Sequence, residues 1–478
     1  MHQVIACDLG ASSGRLFLQK FNGETLTLRE VHRFENGPIT EGKHFYWNFP
    51  SILSEIKKGI SKEISNVASI GVDTWGVDFG VIDAQGQLLA KPFSYRDQHT
   101  EAQVEKITNK YELFQHTGNE VSSINTVFQL MAIQENYPHL FNDAASILMM
   151  PNLILQQLCG QSINEFSIAS TSGLLSPITK QWNTTIQQQL FKSPLPLAEV
   201  QLPHQLIGHY ENIQVVLVPG HDTACALSAL PIENHESVFM SLGTWGLIGQ
   251  EIAAPIVTEA AFINGFTNEG ASEGNYRFQK NATGFWIVQQ LRKEWKEQGI
   301  SLSFECEKVE LKKHENFTSV IDPNHASFFN PTSMTAAIQQ YCQETKQPIP
   351  TEIGQYLTLF IRSSALSYEA IIEKMCQLTN QAVKDIYIGG GGANHPELCQ
   401  DIANSTGLPV HTGPVEASSI GNGLSQLRAF GEIDSLQQGR EIVKRSFTLT
   451  TYEPKASQFW NEMKEHYRAI TGGILDVK

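Results

Sequence analysis

One acidic residue, Asp222, stands between a histidine and a threonine in "VPGHDTACAL" (218–227), directly after the apolar run "VVLVPG". A carboxylate so near a core costs free energy unless hydrogen bonds or a cation hold it. Two roles fit. Asp222 can cap a helix, a role worth about 1 kcal/mol. It can also serve as a base for an alcohol, provided it stays ionised and within hydrogen-bond reach of the hydroxyl. A helix N-terminus favours the anion in both roles, so they are compatible.

Four other stretches carry chemistry. In "DLGASSGR" (8–15) the small residues Gly10, Ala11, Ser12, Ser13 and Gly14 allow backbone N–H groups and hydroxyls to approach a phosphate, and Arg15 adds a fixed positive fork. Asp8, at the preceding strand end, suits a hydrated magnesium ion held through water. The plain alternative is a hairpin turn. "MSLGTWG" (240–246), with Ser241, Gly243 and Thr244, repeats the pattern, as a second phosphate loop across a cleft would require. The glycine run Gly389–Gly392 gives either a backbone that lies flat against a ring such as adenine or a flexible strand-to-helix turn. In "GVDTWGVDFG" (71–80), Trp75, Gly76 and Asp78 suit a sugar, the ring as apolar wall and the acid as hydroxyl acceptor; alternatively Trp75 is core and Asp78 a turn residue. The fifteen histidines show neither HExxH nor tight ligand spacing, so no structural metal site is assigned.

These residues need elements to position them. "VIACDLG" reads as a strand, and "LFLQKFNGETLTLREVHRF" (16–34) as a hairpin turning at Asn22-Gly23. The small-residue turn therefore joins two strands, whereas a Walker loop or a dinucleotide fingerprint opens a helix. Ile52, Ile56, Ile60 and Ile64 in "PSILSEIKKGISKEI" give one apolar helical face. "VASIGVDTWGVDFGVIDAQG" follows as two strands with Asp73 near the end of the first. Positions 100 to 200 read as mostly helical, and "NIQVVLVPG" as a strand before a helix that starts at Asp222 or Thr223. The strand, turn, strand pattern restarts at 238, and the segment 385–431 reads as strand, glycine run, helix, strand, helix. The tail after 446 reads as a loop and a closing amphipathic helix that packs on the second domain.

With 478 residues and 41% hydrophobic content, the chain exceeds one ordinary core, so two domains are expected, 1–231 and 232–478. A formal net charge of −15 disfavours nucleic acid and anionic membranes as partners. No stretch approaches a membrane span and no leader pattern is seen, so a cytoplasmic location is expected. The seven cysteines lack paired spacing and read as buried thiols in a reducing compartment.

The motifs "DLGASSGR", "DTWGVDFG", "GHDTA", "SLGTW", "IGGGGANHPELCQ" and "GPVEASSIGNG", in this order, closely resemble those of the FGGY carbohydrate kinases. "REVHRFENG", "YRD" (95–97), "TNEGASEGNYRFQKN" and "FFNPTSM" are similar to the branch that phosphorylates L-rhamnulose. The resemblance implies an α/β fold of two actin-like ATPase (ribonuclease-H-like) domains, a mixed sheet in each, with an active-site cleft between them that closes on its substrates. The N-terminal domain would bind the sugar and the C-terminal one the nucleotide. It implies transfer of phosphate from ATP, with Mg2+, to the 1-hydroxyl of L-rhamnulose in rhamnose degradation. Carried over by position, ATP would meet Ala11, Ser12, Ser13, Gly14, Arg15, Thr244, Gln289 and Gly390. The sugar would meet Gly76, His221, Asp222, Thr223 and Asn281, with Asp222 as general base. Two departures from the wider family are "NTVFQLMAIQE" (125–135) and Asn152, where many relatives carry an aspartate. Three alternatives stand beside this reading. They are a family kinase of another ketose or polyol (fuculose, xylulose, glycerol), a non-catalytic actin-like binding protein, and a nicotinamide dehydrogenase, whose strand-GxGxxG-helix unit is absent. A monomer and a dimer are equally compatible with the sequence.

Overall fold

The chain in the computed structural model, which describes residues 2–455 and 457–472, crosses five times between two compact units. The first unit contains the chain up to Glu233, then Glu251–Phe278 and Glu416–Thr448; the second contains Asn234–Gln250, Gln279–Val415 and the chain from Leu449. The first crossing lies two residues past the expected 231/232 division, and the later returns are not visible as composition shifts. The helix Ala417–Ala429, late in the sequence, thus packs in the first unit against His2–Leu9 and Asp222–Ala229.

The first unit is built on a six-stranded mixed sheet ordered Gln205–Tyr210, Ile213–Leu217, Ser69–Thr74, His2–Leu9, Ser13–Phe21, Leu26–Glu35. Its three central strands, Ile213–Leu217, Ser69–Thr74 and His2–Leu9, run parallel, so their carboxyl ends lie at one edge. In register, Asp8 faces Asp73, and a further bridge joins Thr74 to His221. Ordinary strand geometry thus collects Asp8, Asp73 and the His221–Asp222 pair from sites far apart in sequence.

Local chemistry explains the framing elements. Asn22 closes the first hairpin as its Oδ1 accepts from the Glu24 and Thr25 amides at 2.9 and 2.7 Å. The helix Phe49–Ser61 has a proline in its first turn and buries Ile52, Ile56 and Ile60 on the sheet. It stops before Ile64, which still packs against the same core. Between 100 and 200 the helices are short, interrupted by the strands Ser146–Met149 and Asn164–Glu165. Asn152 is buried and its Oδ1 accepts from the Glu165 amide at 3.2 Å, a structural contact.

The second unit repeats the mixed plan. Ser237–Leu242 pairs antiparallel with Trp245–Ile252 and parallel with Asp385–Gly389, which is parallel to Val410–Thr412; Thr451–Tyr452 closes the edge antiparallel. The tail helix Gln458–Thr471 buries Trp460, Met463 and Tyr467 against Val320 and Leu366, as its amphipathic pattern required. The cysteine expectation needs correction. Cys7, Cys225, Cys342 and Cys399 are buried, but Cys159 and Cys376 are half-buried and Cys306 is exposed, since its helix Phe304–Lys313 buries little of its surface. Among the described residues no helix is long and apolar enough to cross a membrane.

Candidate active site

The first small-residue turn is closed by its own backbone. The Gly10 amide donates to Ser13 O at 2.9 Å, and Asn36 braces the turn through Nδ2 to Gly10 O at 2.8 Å. Ser12 is left exposed at the tip. Gly14 lies so near the Phe34 ring that a Cβ would sit 2.2 Å from it, so packing alone demands glycine there. Arg15 does not extend as an unengaged fork. Its Nη2 donates to Asp8 Oδ2 at 2.8 Å and its Nη1 to Glu416. Asp8 Oδ2 also accepts from Ser419 Oγ at 3.0 Å. Burial lifts the Asp8 carboxyl to about 6, against the pull of Arg15 and with the charge of Asp222 adding to the rise. Asp73 is pushed well above the carboxylate range by burial and by Asp8; Asn422 donates to its Oδ2 at 2.7 Å, while its buried Oδ1 has no hydrogen-bond partner.

Asp222 differs from these neighbours, with a side chain 30% exposed. It is the first residue of the helix Asp222–Ala229, and His221, in extended conformation, holds the N-cap position. The cap role is therefore overturned, because the Asp222 side chain lies one residue too late to reach back to the free amides. Its Oδ1 accepts from Thr223 Oγ1 at 3.1 Å and lies 3.4 Å from His221 Nε2. On the far side of the ring, Arg277 Nη2 reaches His221 Nδ1 at 2.9 Å. The backbone before it is anchored by Glu165, whose Oε2 accepts from the Gly220 amide at 2.7 Å.

Gly76 belongs to the same cluster, since a Cβ on it would lie 3.5 Å from His221 Nε2 and 3.4 Å from Thr171 Oγ1. The next residue, Val77, has φ of 67°, a costly conformation for a β-branched side chain. It is held there as its amide donates to Thr171 Oγ1 at 3.0 Å and its carbonyl accepts from Thr126 Oγ1 at 2.6 Å. Trp75 and Asp78 are internal. Trp75 packs on Trp47 at 4.1 Å between centroids, the rings tilted by 35°. Asp78 accepts from Trp47 Nε1 at 2.6 Å, Trp75 Nε1 at 2.9 Å, Gln129 Nε2 at 3.0 Å and the Tyr95 amide at 3.2 Å. The sugar-wall reading of this pair gives way to core and brace, because four donors already occupy the carboxylate.

In the second unit Thr244, Gln289 and Gly390 come together around one loop. Thr244 Oγ1 donates to Gln289 Oε1 at 3.2 Å, and a Cβ on Gly390, whose φ is 70°, would lie 3.8 Å from Leu242 O. The loop is stitched to the helix Trp286–Glu297, with Phe285 N to Gly243 O at 2.8 Å and Trp286 N to Thr244 O at 3.2 Å. A Cβ on Gly284 would fall 2.2 Å from Gly243 O, so only glycine allows this approach. Asn281 also belongs to this unit, where it lines a cavity of about 520 Å³ with Lys280, Asn324 and Ser367.

Sequence reading missed Arg277, Glu269, Glu165, Thr171 and the helix-borne Ser419 and Asn422. Arg277 is fully buried. Its only signal was a charged residue flanked by Tyr276 and Phe278 in a strand pattern. Among the described residues no group of three His, Cys, Asp or Glu side chains is arranged to hold a metal directly.

The family model for the FGGY family of carbohydrate kinases, N-terminal domain, matches residues 3–217, and that for its C-terminal domain matches 238–430. A rhamnulokinase of Bacteroides thetaiotaomicron is 34% identical over 480 residues, covering 97% of this chain and 98% of the relative. A rhamnulokinase of Halalkalibacterium halodurans is 36% identical over 468 residues, covering 95% and 99%. In fold, the chain is similar to a Plasmodium falciparum glycerol kinase solved with ADP, with a TM-score of 0.81, 14% identity, and 100% and 99% coverage.

Proposed function

This chain belongs to the FGGY family of carbohydrate kinases, and on that premise we propose that it transfers the terminal phosphoryl group of ATP to the 1-hydroxyl of L-rhamnulose. The observation that carries the choice of sugar is the run of rhamnulokinase relatives at 34 to 36% identity over at least 94% of the chain. Phosphoryl transfer asks a protein mainly for positioning and charge neutralisation, with one base for the attacking hydroxyl. We assign that base to Asp222. Of the three acids gathered at the strand ends it is the one with a partly exposed carboxylate, while burial raises Asp8 and Asp73. Such a base is worth about 10² to 10⁴ in rate.

The sugar would lie against Gly76, His221, Asp222 and Thr223, with Asn281 as a further contact. ATP would be held by the Ala11–Arg15 turn and by Thr244, Gln289 and Gly390. On this reading the first unit, which takes in Glu251–Phe278 and Glu416–Thr448 beside the N-terminal part, binds the sugar and the second unit the nucleotide. Arg15 already neutralises Asp8 and Glu416, so its share in phosphate binding is a redistribution of an existing ion pair. The oxygen donors Asp8 and Asp73, with the latter's unsatisfied buried oxygen, fit a hydrated divalent cation. Asp8 would hold it through water, and magnesium bound with ATP would neutralise phosphate charge. The chemistry suits a cytoplasmic enzyme, and both monomer and dimer are compatible with it.

ADP release with magnesium-ATP and L-rhamnulose, beside L-fuculose, L-xylulose, D-xylulose and glycerol, tests the sugar assignment. L-Rhamnulose should give the highest kcat/KM. A higher value for another sugar transfers the assignment to that sugar.

A further inference from the structure

Arg277 lies fully buried on the strand Tyr276–Thr283, where its Nε donates to Gly270 O at 3.1 Å and its Nη2 to Glu269 Oε2 at 3.0 Å. The same Nη2 stands 2.9 Å from His221 Nδ1. A guanidinium has donors and no lone pair, so this contact is a hydrogen bond only if Nδ1 carries no proton. Glu269 Oε2 is also near Nδ1, at 3.3 Å, and would favour the opposite tautomer. The shorter contact decides, since a proton on Nδ1 would point at an N–H only 2.9 Å away while Glu269 is already satisfied by Arg277. The imidazole proton then sits on Nε2, which faces Asp222 Oδ1 at 3.4 Å and borders Gly76.

We propose that Arg277, held by Glu269 and Gly270, is a positioning residue that fixes His221 as the Nε2–H tautomer, so that the ring donates toward Asp222 and the sugar hydroxyl beside it. The inference rests on the reading of Asp222 as the base. It gives that reading a cause: a donor beside the carboxylate keeps one oxygen oriented and leaves the other for the incoming proton. With the opposite tautomer, a nitrogen lone pair would face the carboxylate and no donor would be available to the sugar. In metal sites, groups that fix a histidine tautomer from behind are worth about 10- to 100-fold in activity, and an effect of that size is expected here.

Nitrogen-15 NMR of the intact, histidine-labelled chain, without sugar or nucleotide, reads the tautomer directly, with His221→Gln identifying the signal. A protonated Nε2 and an unprotonated Nδ1 are expected, and a protonated Nδ1 overturns the proposal. Arg277→Met should mix the tautomers and lower kcat about 10- to 100-fold with the KM for ATP unchanged, and Arg277→Lys should recover part of the loss by keeping a donor. A pure Nε2–H state with wild-type kcat in Arg277→Met overturns it as well. If the methionine variant does not fold, the wild-type spectrum alone decides. Because the spectrum needs no substrate, an inactive wild type with the expected tautomer would sink the functional reading while leaving the tautomer assignment standing.

Discussion

Asp8 and Asp73 stand opposite each other in register on adjacent parallel strands, and Arg15 donates to Asp8 at 2.8 Å while Asn422 donates to Asp73 at 2.7 Å. Of these two buried carboxyls, one is offset by a cation, and the other, pushed up by burial and by its neighbour, is held by an amide donor.

Removing the cation should show this. Breaking a buried pair costs about 3 to 5 kcal/mol when a charge is stranded. Asp8 lies at about 6 even with Arg15 present and escapes part of that cost by taking up a proton. Arg15→Met should therefore lose about 2 kcal/mol, measured by urea unfolding, and lose more at alkaline than at mildly acidic pH. A loss independent of pH would contradict the coupling.

Asp78 offers a separate pH test. Burial raises its carboxyl from 3.8 to about 6 despite bonds from Gln129, Trp47, Trp75 and the Tyr95 amide. The folded chain thus binds this proton more tightly than the unfolded one. Its contribution to stability is complete below 3.8 and is lost as pH rises through about 6. Over that window the wild type should lose up to about 3 kcal/mol relative to Asp78→Asn. Urea midpoints of both proteins across about pH 4 to 7 test it, and a constant difference would count against the assigned shift.

Much of this architecture was readable. The turns "ASSGR" and "SLGTWG" each join two strands because small residues separate apolar runs of strand length, and Thr244 of the second turn bonds Gln289. The onset of the helix at Asp222 was legible, but its cap was not: an acid is favoured at either of the first positions of a helix, and only backbone angles assign the cap to His221. Ser419 and Asn422 were hidden for a different reason. They reach Asp8 and Asp73 across 411 and 349 residues, and one sequence carries no sign of which late helix returns to the first unit. The same holds for Arg277, whose burial depends on partners that local pattern cannot name.

The second loop supplies a test confined to the nucleotide. Thr244→Val removes the donor to Gln289 while leaving the exposed loop's backbone bonds in place. Stability should change by less than about 1 kcal/mol, while the KM for ATP rises and the KM for sugar does not. An unchanged KM for ATP would remove Thr244 from the nucleotide site.

Gly284→Ala probes the same loop from behind. The added methyl meets backbone at Gly243, so the loop must move. Overpacking of this kind costs about 1 to 3 kcal/mol, and the affinity for ATP should fall with it. Calorimetric binding of ADP as tight as in the wild type would show that the loop does not hold nucleotide.

The central claim is that Asp222 takes the proton from the sugar hydroxyl. The direct measurement is the kcat for ADP release with magnesium-ATP and saturating L-rhamnulose for the wild type and for Asp222→Asn, a substitution that keeps the shape and the contact with Thr223 but cannot accept that proton. A loss of at least about 100-fold, with both substrates still bound, is predicted. A variant within a few-fold of the wild type would contradict the assignment of the base.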